Sequence, residues 1–140
     1  MSETNPSCTA PKTGEFSWNE LITKDTTASA NFYGKLFGWQ SAPFVRPEGS
    51  NSLPPYFLFK TEASPMGVGG MMQAMQPGTP TQWLPYVVVD NVDTSLARAV
   101  ELGAKVVLPA IPVPQVGRIA VIIDPQGAAI GLHELPKQSA

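Results

Sequence analysis

The chain has 140 residues, the length of one domain, and at that size folding buries roughly two-thirds of the unfolded chain's surface. Charged residues make up only 14% and hydrophobic residues 43%, which excludes a coiled coil, a charged disordered tail and a surface built to meet polyanions. A net charge of −2 lacks the basic footprint of a nucleic-acid binder, and the single cysteine, Cys8, excludes an internal disulfide and favours a cytoplasmic setting.

Residues 1–14 contain neither an apolar core nor a basic leader, so they read as a mobile tail and not as a signal peptide. No apolar run approaches the roughly 18 residues of a membrane span. The folded body is expected over 15–136. Phe16, Trp18, Glu20 and Ile22 alternate with Ser17, Asn19 and Leu21, the period of a strand. Asp25 offers a helix cap, and Ala28, Phe32, Tyr33, Leu36 and Phe37 fall at helical spacings before Gly38, predicting a helix over 26–37. Strand-like pieces follow at 39–45, 56–60 and 68–75, separated by Pro and Gly clusters.

The order then begins again. Residues 83–90 read as an apolar strand, 93–102 as a short amphipathic helix closed by Gly103, and 104–108, 118–123 and 128–134 as three strands. Strand, helix and three strands, taken twice, give two tandem βαβββ modules over about 15–76 and 82–136. The fold class expected is α+β: a curved mixed sheet around a cleft, helices outside, the concave side a natural small-ligand site.

These motifs are familiar. Glu20-Leu-Ile-Thr-Lys-Asp25 with Phe32-Tyr-Gly-Lys-Leu-Phe-Gly-Trp39, then Val89-Asp-Asn-Val-Asp93, Ala99-Val-Glu-Leu-Gly103 and Asp124-Pro-Gln-Gly127, resemble the glyoxalase/bleomycin-resistance/dioxygenase group, the vicinal oxygen chelate superfamily. That superfamily hosts isomerases, dioxygenases, epimerases and non-catalytic drug-binding proteins, so the resemblance implies a fold more than an activity. It also implies ligand positions for a divalent metal. Counting seven back from Asp25 reaches Trp18, seven back from Asn91 reaches Leu84, and seven on from Asp124 reaches Gly131. From Ala63 to Val89, where a fourth ligand belongs, there is no Asp, Glu, His or Cys. The expectation is a protein without that metal or any other cofactor.

The candidates for chemistry each have a plainer alternative. His133, the only histidine, shares strand parity with Gly131; it is either a general base or lone ligand partnered by Glu20, or a histidine satisfied by a backbone carbonyl. Glu20 shares parity with Trp18, and can take a proton, bind a polar ligand group or pair with Arg118, or else hydrogen-bond to backbone. Arg118 follows a proline-rich stretch, 109–117, read as a stiff loop rimming the cleft; it either meets an anionic ligand group or pairs with a neighbouring acid. Trp18, Tyr56, Tyr86, Met71 and Met72 would give the cleft aromatic walls and a polarizable floor, or simply fill it. Gly67-Val-Gly-Gly-Met reads as close strand packing or a bulge, and Cys8 as a thiol without a base.

Two functions follow. One is a metal-free binder of a small aromatic or amphipathic molecule; the other is a glyoxalase-like lyase or isomerase using Glu20 and His133, with an atypical metal site. A purely structural module fits a cleft-forming fold less well. A small-molecule ligand, no nucleic acid, no membrane and a homodimer complete the expectations, the last because low surface charge leaves apolar area to cover.

Overall fold

The computed structural model describes residues 10–45 and 53–137, so Cys8 and the last three residues lie outside it. The first module comprises β1 (Phe16–Thr23), α1 (Thr26–Phe37), β2 (Gln40–Phe44), β3 (Tyr56–Lys60) and β4 (Gly69–Gln73). The second comprises β5 (Gln82–Val88), α2 (Val92–Glu101), β6 (Lys105–Val113), β7 (Gly117–Ile123) and β8 (Ala129–Glu134). The strands form one open, curved mixed sheet in the order β2-β3-β4-β1-β5-β8-β7-β6. Each module's first and last strands run parallel, β1 beside β4 and β5 beside β8, and the antiparallel β1–β5 pair joins the modules. Among the described residues no helix is long and apolar enough to cross a membrane.

The helix ends follow from their caps. The Asp25 carboxylate accepts from Ala28 N–H at 3.0 Å, and Gly38, at φ 77, turns the chain out of α1. In the second module Asn91 accepts from Thr94 N–H at 2.9 Å, so α2 starts at Val92, one residue before the expected position. Thr13 and Gly14, expected in the tail, are fastened to the second module. Thr13 donates its hydroxyl to Asp90 at 2.6 Å, and Gly14 N–H to the Val88 carbonyl at 2.9 Å, so the chain is tied to β5 before residue 15.

The expected loop over 109–117 is corrected. β6 runs through Pro109 and Pro112 to Val113, leaving only a tight turn before β7. Two prolines are tolerated because β6 is the sheet's last strand, pairing on one side only, and its register slips at Val106/Leu108 and Leu108/Ile111. Gly117, at φ 115, is required at the start of β7, since a Cβ there would run into the Glu134 carbonyl.

The two sheet faces have different cores. Under α1, Leu21, Phe59 and Met71 pack with Ala30, Tyr33 and Trp39; under α2, Val92, Ala120, Ile122 and Leu132 pack with Leu96 and Ala99. On the opposite, concave face Leu84, Tyr86 and Val121 meet Trp18, Ile22 and Ile119. Strand parity does the sorting: in β7, Ala120 and Ile122 go to the helix while Ile119, Val121 and Ile123 go to the cavity.

Candidate functional site

The concave face encloses a cavity of about 810 Å³ to which both modules contribute. Trp18, Glu20 and Ile22 line it from β1, Tyr56 and Met72 from β3 and β4, Leu84 and Tyr86 from β5, and His133 from β8. Phe16, expected on the same face, does not; it is 64% exposed. A register shift between Phe16 and Trp18 breaks the alternation, so Ser17 and Trp18 both line the cavity.

The cavity's aromatic groups are held by hydrogen bonds. Trp18 Nε1–H donates to the Tyr56 hydroxyl at 2.8 Å, and the Tyr86 hydroxyl donates to Glu20 Oε2 at 3.1 Å. Glu20 is 6% exposed and Tyr86 4%. Burial, reinforced by the Glu20 carboxylate, pushes the Tyr86 hydroxyl well above the ordinary phenol range, so it stays a protonated donor. Both tyrosines lie over glycines. A Cβ at Gly131 would strike the Tyr86 ring, and one at Gly70 the Tyr56 hydroxyl. The glycine run of β4 is thus close packing, with Gly70 leaving room for Tyr56.

His133 faces the cavity with both ring nitrogens engaged. Nε2 lies 2.7 Å from the Val116 carbonyl and Nδ1 2.9 Å from Ser17 Oγ. A carbonyl only accepts, so Nε2 carries the proton and Nδ1 accepts from the serine. Glu20 is not beside it. Glu20 pairs across β5 with Leu84, whereas His133 pairs with Val88, roughly 13 Å further along that strand at ~3.3 Å per residue. The cleft contains both candidates but does not bring them together.

Of the two readings of Arg118, the cleft-facing one is corrected and the pairing with neighbouring acids is what the structure shows. β7 parity turns it to the helix side, where Nη2 meets Asp93 at 2.7 Å and Nη1 meets Glu134 at 3.2 Å. Its hydrogen bond to the Asp93 carboxylate leads the effects that raise its pKa. It does not line the cavity; it pairs with neighbouring acids. Met71 is corrected too, being buried beneath α1 while its neighbour Met72 turns to the cavity. Sequence reasoning missed Ser17, Met66, Met75, Ile111 and Val113 in the lining. For Ile111 and Val113 a signal existed, alternation continuing past Pro109; for Ser17 there was none, because a bulge leaves no mark in the residue pattern.

The metal positions implied by resemblance hold an indole at Trp18, an isobutyl group at Leu84 and no side chain at Gly131. None of these offers a donor to a divalent ion, and the Tyr86 ring lies over Gly131. Among the described residues no three His, Cys, Asp or Glu side chains gather as a metal site would need. The residues therefore do not fit the family's metal in the arrangement the resemblance implies.

Residues 19–133 match the family model described as a glyoxalase-like domain. A putative glyoxylase, CFP32, of Mycobacterium tuberculosis is 35% identical over 128 residues, covering 91% of this chain and 47% of that protein. The anthracycline biosynthesis protein DnrV of Streptomyces peucetius is 30% identical over 131 residues, covering 85% of this chain and 46% of that one. The chain thus spans about half the length of these curated relatives. Among solved structures, methylmalonyl-CoA epimerase from Mycobacterium tuberculosis superposes with a TM-score of 0.54 at 16% identity, over 88% of this chain and 89% of that one. Homoprotocatechuate 2,3-dioxygenase from Brevibacterium fuscum gives 0.55 at 19% identity, over 94% and 39%. At these identities the likeness is one of fold.

Proposed function

The chain belongs to the glyoxalase-like domain family of the vicinal oxygen chelate superfamily, and from that premise we propose that it binds a small aromatic or amphipathic molecule in its concave cavity without the superfamily's metal. One observation carries the reading: the positions where resemblance implies metal ligands hold Trp18, Leu84 and Gly131, two apolar side chains and a glycine under the Tyr86 ring. Indole, phenol and thioether groups suit a flat apolar ligand, and the Glu20–Tyr86 pair supplies a polar end to orient it. A cytoplasmic setting, where Cys8 stays a thiol, and a homodimer belong to the same reading. The dimer draws support from α1, which buries none of its residues and leaves Phe32, Leu36 and Phe37 more than half exposed.

The alternative, a lyase or isomerase using Glu20 and His133, draws support from both side chains lining the cavity. Their separation and separate partners weigh against a single acid–base pair. Titrating an aromatic probe such as anilinonaphthalene sulfonate against Trp18→Ala, Glu20→Gln and His133→Ala separates the readings. Burying about 100 Å² of apolar probe surface stabilises a complex by roughly 2.5 kcal/mol, so Trp18→Ala should weaken binding by about tenfold to a hundredfold. His133→Ala should weaken it least. If His133→Ala proves the most damaging of the three, the binding reading is wrong.

A further inference from the structure

Ser17 and His133 stand 116 residues apart in the chain, on the first and last strands, and meet in the cavity wall. Neither is needed to close the hydrophobic core. Ser17 reaches the cavity only because β1 is bulged there, and bulges are common where a strand re-aims a side chain next to an active site. The imidazole is clamped on its far side by the Val116 carbonyl at 2.7 Å, which fixes the proton on Nε2 and leaves Nδ1 as the acceptor for the serine hydroxyl, 2.9 Å away. Both residues are half-buried, so a molecule entering the cavity can reach them. A nucleophile bonded to a base, with the base oriented by a third group, is the arrangement that activates a serine. The turn supplying the carbonyl is itself strained. Gln115, beside Val116, has φ 71, a left-handed conformation costly for a side-chain-bearing residue, and it lines the same cavity.

We infer that Ser17, His133 and the Val116 carbonyl form a nucleophilic triad that hydrolyses small carboxylic esters with an aromatic or aliphatic body. Ser17 Oγ attacks the ester carbonyl carbon as its proton passes to His133 Nδ1. The bond to the alcohol oxygen breaks, and Nδ1 returns the proton to that leaving oxygen, giving acyl-Ser17 and free alcohol. Water then attacks the acyl carbon, gives one proton to Nδ1, and releases the carboxylic acid as Oγ takes that proton back. Nε2–H stays on Val116 throughout and steadies the transient imidazolium. The inference rests on the proposed binding function only in expecting the ester's body to occupy the apolar cavity.

The test uses the full chain, with p-nitrophenyl butyrate as substrate and phenylmethylsulfonyl fluoride as covalent label. Wild-type protein should gain one sulfonyl group, mapped by mass spectrometry to Ser17, and should hydrolyse the ester. Ser17→Ala should lose the label and fall to the uncatalysed rate, and His133→Ala should slow hydrolysis about a hundredfold or more. Binding of anilinonaphthalene sulfonate is measured on the same samples. A labelled Ser17 in protein that does not bind the dye upholds the triad while sinking the binding reading. Dye-binding wild type that is neither labelled at Ser17 nor active overturns the triad, as does hydrolysis unchanged by Ser17→Ala. Labelling of the wild type decides the matter even where a variant fails to fold.

Discussion

The two modules share an element order yet secure their helices by different means. α2 is tied at its start: Val92 is fully buried, its N–H donates to Glu134 Oε1 at 2.8 Å, and Arg118 bridges Glu134 to Asp93. α1 has no buried residue and rests on a cluster of rings, with Tyr33 5.7 Å from Trp39 and 5.5 Å from Trp83 between centroids. The difference shows that one supersecondary pattern can be stabilised by polar latching in one copy and by aromatic packing in the other. It also divides the cavity, since module two supplies Tyr86 and His133 from a latched frame and module one supplies Trp18 and Tyr56.

Removing the latch should have the largest effect. Glu134→Ala leaves the Val92 N–H buried without its acceptor and should cost about 3 kcal/mol in urea denaturation; Asp25→Ala, which removes only the exposed cap of α1, should cost about 1 kcal/mol. Equal costs would erase the contrast. The glycines beneath the tyrosines come next. Gly131→Ala drives a methyl group into the ring of the buried Tyr86 and should cost about 2 kcal/mol, while Gly70→Ala meets the hydroxyl end of the half-buried Tyr56 and should cost about half that. Smaller still, Phe32→Ser and Leu36→Ser should change stability by no more than about 0.5 kcal/mol, because both side chains are more than half exposed. If α1 carries the dimer, light scattering on the same variants should show monomers.

The least effect at neutral pH concerns the Tyr86 hydroxyl. Its pKa is raised on folding, so the stability tied to its neutral form is fully present below the unfolded-state value of about 10 and is lost as pH climbs above it. Wild-type protein should lose stability in that alkaline window faster than Tyr86→Phe. Identical alkaline profiles would remove the buried Tyr86–Glu20 pair from the account.

Element order, both helices and the inward turn of Trp18, Glu20 and Tyr86 were legible because caps and strand parity are local properties. Asp25, Gly38 and Asn91 announce their roles in single residues, and a strand assigns its faces by counting. What lay beyond reading depended on neighbours distant in sequence. The β6 prolines looked like a loop because nothing local says that a strand is the sheet's last. Arg118 stayed open between a cleft ligand and an ion pair because its partners, Asp93 and Glu134, are 25 and 16 positions away. Ser17 was invisible for the same reason, its place being set by a pairing irregularity with β5.

The central claim, an aromatic-lined cavity that works without the superfamily's metal, is tested most directly by one titration. Binding of anilinonaphthalene sulfonate is followed by fluorescence on protein incubated with zinc, nickel or iron and desalted, then again after exhaustive chelation, with bound metal counted by elemental analysis. The account predicts substoichiometric metal and the same Kd in both states. Stoichiometric metal, with binding lost on chelation and restored by adding the ion back, would contradict it.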